Sequence, residues 1–232
     1  MDVQIFEILA NILIYGVPAI LAITLHEAAH GYAALQKGDD TAKRAGRLSL
    51  NPLRHVDPFG TVILPAVLIF TQAPFIFGYA KPVPVNFNAL RRPRLDMVYV
   101  AVAGPATNIL LAVVSALLFY TLVYMPVPLA KLMEQMLAFS ININVLLAIF
   151  NMLPIPPLDG GRVAVGFLPP APARLLASLE RWGFVIIIGS FMLLPLILSQ
   201  AGVHFSLFDV LLREPMTWTI NLIASLTGIT NL

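Results

Sequence analysis

From Ile5 to Leu25 the chain is almost unbroken hydrocarbon, interrupted only by Glu7, Asn11 and Pro18. About 20 apolar residues in a helix cross a bilayer core. A run of this kind has no place on the surface of a water-soluble domain. In lipid every backbone N–H and C=O must pair within the protein, and runs without strict alternation do so as helices. Further apolar runs cover 60–79, 97–124, 132–153 and 182–198. The composition agrees, with 59% hydrophobic and 11% charged residues, where soluble domains carry about 25% charge. The expected fold is an all-α polytopic membrane protein with about five or six transmembrane helices. All 232 residues form one membrane-embedded domain, with a core over about 5–165 and C-terminal helices over about 174–232.

Polar residues break these runs in informative ways. Pro65 and Pro74 interrupt 60–79, which reads as a re-entrant hairpin. KPVPVNF (Lys81 to Phe87) alternates, and its prolines disfavour helix, so it reads as extended. With Arg47 to Leu50 it forms an expected small cytoplasmic-side β element whose edge could receive a substrate strand. The stretch 205–232 is ambiguous: Asp209, Arg213, Glu214 and Pro215 indicate a surface helix before a weakly apolar last segment.

Basic residues fix the sidedness. If 60–79 dips in and returns, the loops 31–59, 80–96 and 162–181 share one face. That face then holds twelve of the fourteen Lys and Arg, leaving only Lys131 and Arg213 opposite. The positive-inside rule makes it cytoplasmic and puts the N-terminus outside. A net charge of +2, scattered over short loops, gives no nucleic-acid footprint.

The first span ends in His26-Glu27-Ala28-Ala29-His30. Positions i and i+4 share a helix face, so both imidazoles can hold one cation with Glu27 beside it. This is the H-E-x-x-H arrangement of zinc hydrolases, in which the Glu takes a proton from the attacking water. Ionisable groups at a transmembrane helix end are costly, and function is the default reading. There are no cysteines, so a third ligand must be His, Asp or Glu. Asp159 is the outstanding candidate, because it follows a span and is wrapped in PIPPLDGG. Non-helical backbone at membrane depth survives only buried in protein or lining a wet cavity. Topology tests the pairing: with 60–79 re-entrant, His26 and Asp159 both arrive at the cytoplasmic boundary. With 60–79 as a full span they would emerge on opposite faces.

HEAAHG, AGPATN (Ala103 to Asn108) and NMLPIPPLDGGR (Asn151 to Arg162) together resemble the site-2 protease family of intramembrane zinc metalloproteases. NPLRHVDPFGT (Asn51 to Thr61) and FGYAKPVPVNF (Phe77 to Phe87) are similar to its compact prokaryotic members, which lack PDZ and CBS domains. The resemblance covers about residues 20–165. It implies one Zn2+ held by His26, His30 and Asp159, Glu27 as general base, and Asn151 polarising the scissile carbonyl or holding the oxyanion. It implies substrates that are transmembrane segments, cut near the cytoplasmic face of a prokaryotic plasma membrane. Oligomeric state is not legible.

Two other classes use the same residues differently: a membrane metal transporter, and a catalytically silent binder of transmembrane partners. A transporter calls for paired inverted segments and polar groups at mid-membrane on several helices, and neither is present in the sequence. Intact Glu27 speaks against the silent binder. His55 with Asp57 has a two-residue spacing that no helix face organises, and reads as hydrogen-bonded only. Thr107 and Asn108 read as helix-packing groups, with Asn108 at most a support to a ligand. His204 reads as solvated, and Trp182 as an interface anchor.

Overall fold

The computed structural model describes residues 2–63, 67, 70, 81–200, 202, 203 and 205–229. Three helices are long and apolar enough to cross a membrane: α1 (Glu7–Gln36), α2 (Pro93–Tyr124) and α3 (Val127–Asn151). A short helix α4 (Asp159–Phe167) follows α3. Next come α5 (Pro170–Trp182) and α6 (Val185–Gln200), bent by 76° and counting as one broken span at most. The last helix, α7 (Glu214–Thr227), ends on Gly228 in the left-handed conformation at φ 75°.

Among the described residues there are three candidate spans, or four if the bent pair counts as one, beside the five or six expected for the whole sequence. The stretch 182–198 lies mostly within that bent pair, and 214–227 is only 14 residues long. The expected re-entrant hairpin at 60–79 and His204 fall largely or wholly outside the described residues. The two flanks of that hairpin nevertheless meet: the Lys81 N–H donates to the His55 carbonyl at 2.9 Å. Further out, the Arg91 N–H donates to the Lys37 carbonyl at 3.0 Å. The chain between α1 and α2 thus leaves and returns at one end of the bundle.

No strand pairing occurs among the described residues. Residues 81–86 run extended, but Pro82 and Pro84 have no N–H, and two remaining N–H groups go to carboxylates: Val83 to Glu27 and Asn86 to Asp39. A ladder needs those donors, so the expected β element is an extended strap.

Prolines also shape the helices. The widened π turns at Ile12–Gly16, Gly189–Leu193 and Asp209–Arg213 precede Pro18, Pro195 and Pro215. Each proline lacks the N–H for the carbonyl four residues back, at Ile14, Phe191 and Leu211, and each of those residues lies inside the widened turn. In lipid an unpaired carbonyl costs several kcal/mol, and a local change of register is the usual relief.

The centre of the bundle is α2, which packs on α1, α3, α4 and α7. Its buried positions Val100, Gly104, Asn108, Ala112 and Ala116 recur every four residues, a ridge of small side chains that lets neighbouring helices approach closely. Opposite it α1 offers Ala22, Ala28, Ala33 and Ala34. On the far side Ala112 and Ala116 pack with Ile141, Val145 and Ile223. Large apolar side chains such as Ile8, Leu9, Ile12 and Leu110 face outward, as lipid contact requires.

Candidate metal centre

The helix carrying H-E-x-x-H continues without a break to Gln36, so the motif lies inside α1 rather than at its end. His26 and His30 face α2 and are buried. Asp159 reaches them from the first turn of α4, across the PIPP turn. Gly160 and Gly161 make that turn possible. A Cβ on Gly160 would stand 2.1 Å from the Met152 carbonyl oxygen, and one on Gly161 2.5 Å from the Pro156 nitrogen. No side chain fits at either place, and the loop folds flat against its own helix.

Three atoms converge. His26 Nε2 is 3.0 Å from His30 Nε2, and Asp159 Oδ2 lies 3.2 Å and 3.3 Å from the two nitrogens. His26, His30 and Asp159 are all buried and form a cluster able to hold a metal ion. Zinc ligands in a tetrahedron at about 2.0–2.1 Å from the ion stand about 3.3 Å apart. The triangle has that edge.

The hydrogen bonds behind the ring nitrogens settle what faces inward. His30 Nδ1 is 2.8 Å from the Val100 carbonyl, which can only accept, so Nδ1 carries the proton and Nε2 presents a lone pair. His26 Nδ1 likewise donates to Asn108 Oδ1 at 2.6 Å. Two imidazole lone pairs and a carboxylate oxygen then point at one another, and Asp159 Oδ2 is buried without a hydrogen-bond donor. Such a donor set repels itself unless a cation sits among its members. The three donors fit zinc.

Glu27 stands beside the triangle and outside it. Its Oε2 accepts from the Val83 N–H at 2.7 Å, which ties the strap to the carboxylate. The strap's other anchor is Asp39, which accepts from the Asn86 N–H and, through Oδ1, from the Thr41 N–H and hydroxyl. Burial would raise the Asp39 carboxyl. The Thr41 hydroxyl, the Thr41 and Asn86 N–H groups and the nearby Arg44 charge outweigh it and hold its pKa below the ordinary 3.8.

Asn151 closes α3, half-buried, with its Nδ2 donating to the Leu147 carbonyl at 2.9 Å. An amide NH2 has two protons, so one remains to donate elsewhere. His55 is buried, with Nε2 bonded to the Ser49 carbonyl, and Asp57 accepts from the Phe59 and Gly60 N–H groups. Both serve turns. Three further contributors shape the site, of which the sequence pointed only to Asn108, as a support to a ligand. Asn108 bonds His26 directly, Val83 acts through its backbone, and Gly104 lies so close that a Cβ there would fall 2.5 Å from His30 Nε2.

Known proteins agree with this chemistry. Residues 127–196 match the model of peptidase family M50. A Bacillus subtilis protein named "Putative zinc metalloprotease YwhC" is 38% identical over 211 residues, covering 84% of this chain and 90% of that one. A Mycolicibacterium smegmatis protein named Rip2, described in the same words, is 31% identical over 169 residues, covering 73% and 62%. A Methanocaldococcus jannaschii protein, MJ0611, again so described, shares 45% identity over 64 residues, 28% of this chain and 31% of its own. No solved structure matches the chain. On the strength of the first relative and the family match, the chain belongs to peptidase family M50, the site-2 protease family, and is a zinc metalloprotease.

Proposed function

We propose that His26, His30 and Asp159 hold the zinc, and that the enzyme hydrolyses peptide bonds in or near transmembrane segments of membrane proteins. The observation that carries the reading is the convergence of three donor atoms within 3.3 Å, two of them on α1, a helix long and apolar enough to cross a membrane. Zinc bound there supplies Lewis acidity, which makes water a nucleophile near neutral pH and polarises a carbonyl. Glu27 accepts the proton of the attacking water and returns it to the leaving amine. Its Oε2 is held by Val83, and Oε1 is the proton-accepting atom. The spare N–H of Asn151 donates to the scissile carbonyl and follows it as it becomes an oxyanion. A helical substrate hides its carbonyls in its own hydrogen bonds and must unwind locally. The extended strap 81–86 beside Glu27 is where the unwound stretch lies.

The site faces the cytoplasmic side of a prokaryotic plasma membrane, in a multi-pass protein with its N-terminus outside. Supporting this, twelve of the fourteen basic residues fall in the stretches 31–59, 80–96 and 162–181, which flank the site's elements. The joined ends of α1 and α2, through Lys37 and Arg91, also keep His30 and Val100 at one end of the bundle.

The test uses the purified chain in lipid vesicles with a panel of synthetic transmembrane peptides. Cleavage is expected, lost on treatment with a zinc chelator and restored by one equivalent of zinc. Zinc flux without cleavage would establish a transporter, and peptide capture without cleavage a silent binder; either result overturns the reading. The Val83 contact gives a finer check. Val83→Pro removes the N–H and keeps extended backbone, and should lower turnover about tenfold or more with zinc retained, since a hydrogen bond to a charged group contributes about 1.5–3 kcal/mol. Val83→Ala keeps the N–H and should retain most activity.

A further inference from the structure

Behind His26 a line of buried amides runs away from the site through the interface of α2 and α3. His26 Nδ1 meets Asn108 Oδ1 at 2.6 Å, and Asn108 Nδ2 meets Asn144 Oδ1 at 2.8 Å and the Ala22 carbonyl at 3.3 Å. Asn144 Nδ2 meets the Ser140 carbonyl at 2.9 Å and the Ser140 hydroxyl at 3.3 Å. Asn108 and Asn144 are 0% and 1% exposed, and the links from His26 to Asn108 and from Asn108 to Asn144 are buried.

The polarity of this line is forced, and it is forced from the far end. A backbone carbonyl can only accept, so the Ser140 carbonyl requires the NH2 of Asn144 to face it. The Asn144 oxygen must then face Asn108. Both that oxygen and the Ala22 carbonyl require the Asn108 NH2, which turns the Asn108 oxygen toward His26. His26 must meet it with Nδ1–H, and its lone pair is left on Nε2, inside the triangle with His30 and Asp159. His30 reaches the same tautomer in one step through the Val100 carbonyl.

We infer that Asn108 and Asn144 are positioning residues for the metal: Asn144, which is not among the converging donors, sets the amide orientation of Asn108, and Asn108 fixes the tautomer and ring angle of His26. The inference rests on the reading of His26 as a zinc ligand and adds to it the device that keeps His26 ready to bind. It predicts that α3 acts on metal affinity from outside the site, and that Asn144 acts solely through Asn108. An Asn that merely packs two helices would show no such dependence.

The test is a double-mutant cycle read by metal binding rather than by turnover. Wild type, Asn108→Leu, Asn144→Leu and the double variant are stripped of metal, and zinc affinity is measured by competition with a chromophoric chelator. Cobalt is then added to each and its visible spectrum recorded, which reports ligand geometry directly. Supporting groups behind metal-bound His are worth about 10–100-fold in affinity. Asn108→Leu should lose about that much, Asn144→Leu about tenfold, and the double variant no more than Asn108→Leu alone. Both single variants should shift the cobalt bands. If Asn108→Leu does not fold, Asn108→Ser, too short to reach His26, takes its place in the cycle. Additive losses, or a wild-type cobalt spectrum in Asn144→Leu, would overturn the inference while leaving the zinc site standing. Wild-type zinc affinity in a His26→Ala control would instead overturn the ligand assignment and this inference with it.

Discussion

Replacing Glu27 with Gln is expected to lower peptide hydrolysis by about 10²–10⁴-fold, the usual contribution of a positioned general base, while one zinc per chain remains bound. The two halves of this expectation come from different atoms. The triangle able to hold a metal consists of His26, His30 and Asp159, and Glu27 is not part of it. Gln has the same shape, and its carbonyl oxygen can still accept the Val83 N–H that now reaches Glu27 Oε2 at 2.7 Å. What it lacks is the basicity to take a proton from water. Metal content measured on the purified variant beside turnover on a transmembrane peptide separates the two effects. Turnover within a few-fold of wild type would remove Glu27 from its role, and loss of zinc would mean that it is a ligand.

That prediction was available from residues 26–30 alone, because a metal motif at i and i+4 is a local object. Helix periodicity brings His26 and His30 together whatever else the chain does. Asp159 is far away in sequence: its PIPPLDGG wrapping at the end of a span made it the candidate, and its pairing with His26 required 60–79 to return to the side it left. The meeting of His55 with Lys81, and of Lys37 with Arg91, fits that requirement at both flanks. The number of spans was less legible. Hydropathy weighs residues and is blind to bends, so it could not foresee that α5 and α6 meet at 76°.

The contacts that refine the site were hidden for a different reason. Alternation in KPVPVNF was a sound sign of extended backbone, but it cannot tell a sheet partner from a carboxylate as the acceptor of a backbone N–H. Glu27 and Asp39 took the donors that a β partner would have used. Asn108 in AGPATN carried a polar amide at a buried helical position, which is a signal. Its partner Asn144 sits on another helix, in a stretch with Asn142 and Ser140 nearby, and nothing in the order of residues selects Asn144 to face inward.

Gly104→Ala is expected to abolish tight zinc binding, with affinity down by about 100-fold or more, although alanine is the better helix former by about 1 kcal/mol. The new Cβ would stand 2.5 Å from His30 Nε2, 2.6 Å from His26 Cε1 and 2.7 Å from His26 Nε2, inside the contact distance of each. Two escapes are open, and both dismantle the triangle. The imidazoles cannot swing aside while keeping their Nδ1 bonds, because Asn108 and Val100, which accept those bonds, lie on the same helix as Gly104. If α2 instead withdraws from α1, it carries both acceptors with it and frees both rings. The apo variant should therefore melt close to wild type, helped by helix propensity, and should fail specifically when zinc is added: no rise in Tm with zinc and no cobalt spectrum of a three-ligand site. Ligand stabilisation is read as RT ln(1 + [L]/Kd), so a weakened site shows directly as a missing shift at zinc concentrations that stabilise wild type. A Gly104→Ala protein that binds zinc and cuts peptide as wild type does would mean that α1 and α2 are further apart than these distances allow, and that the floor of the site is not made by glycine.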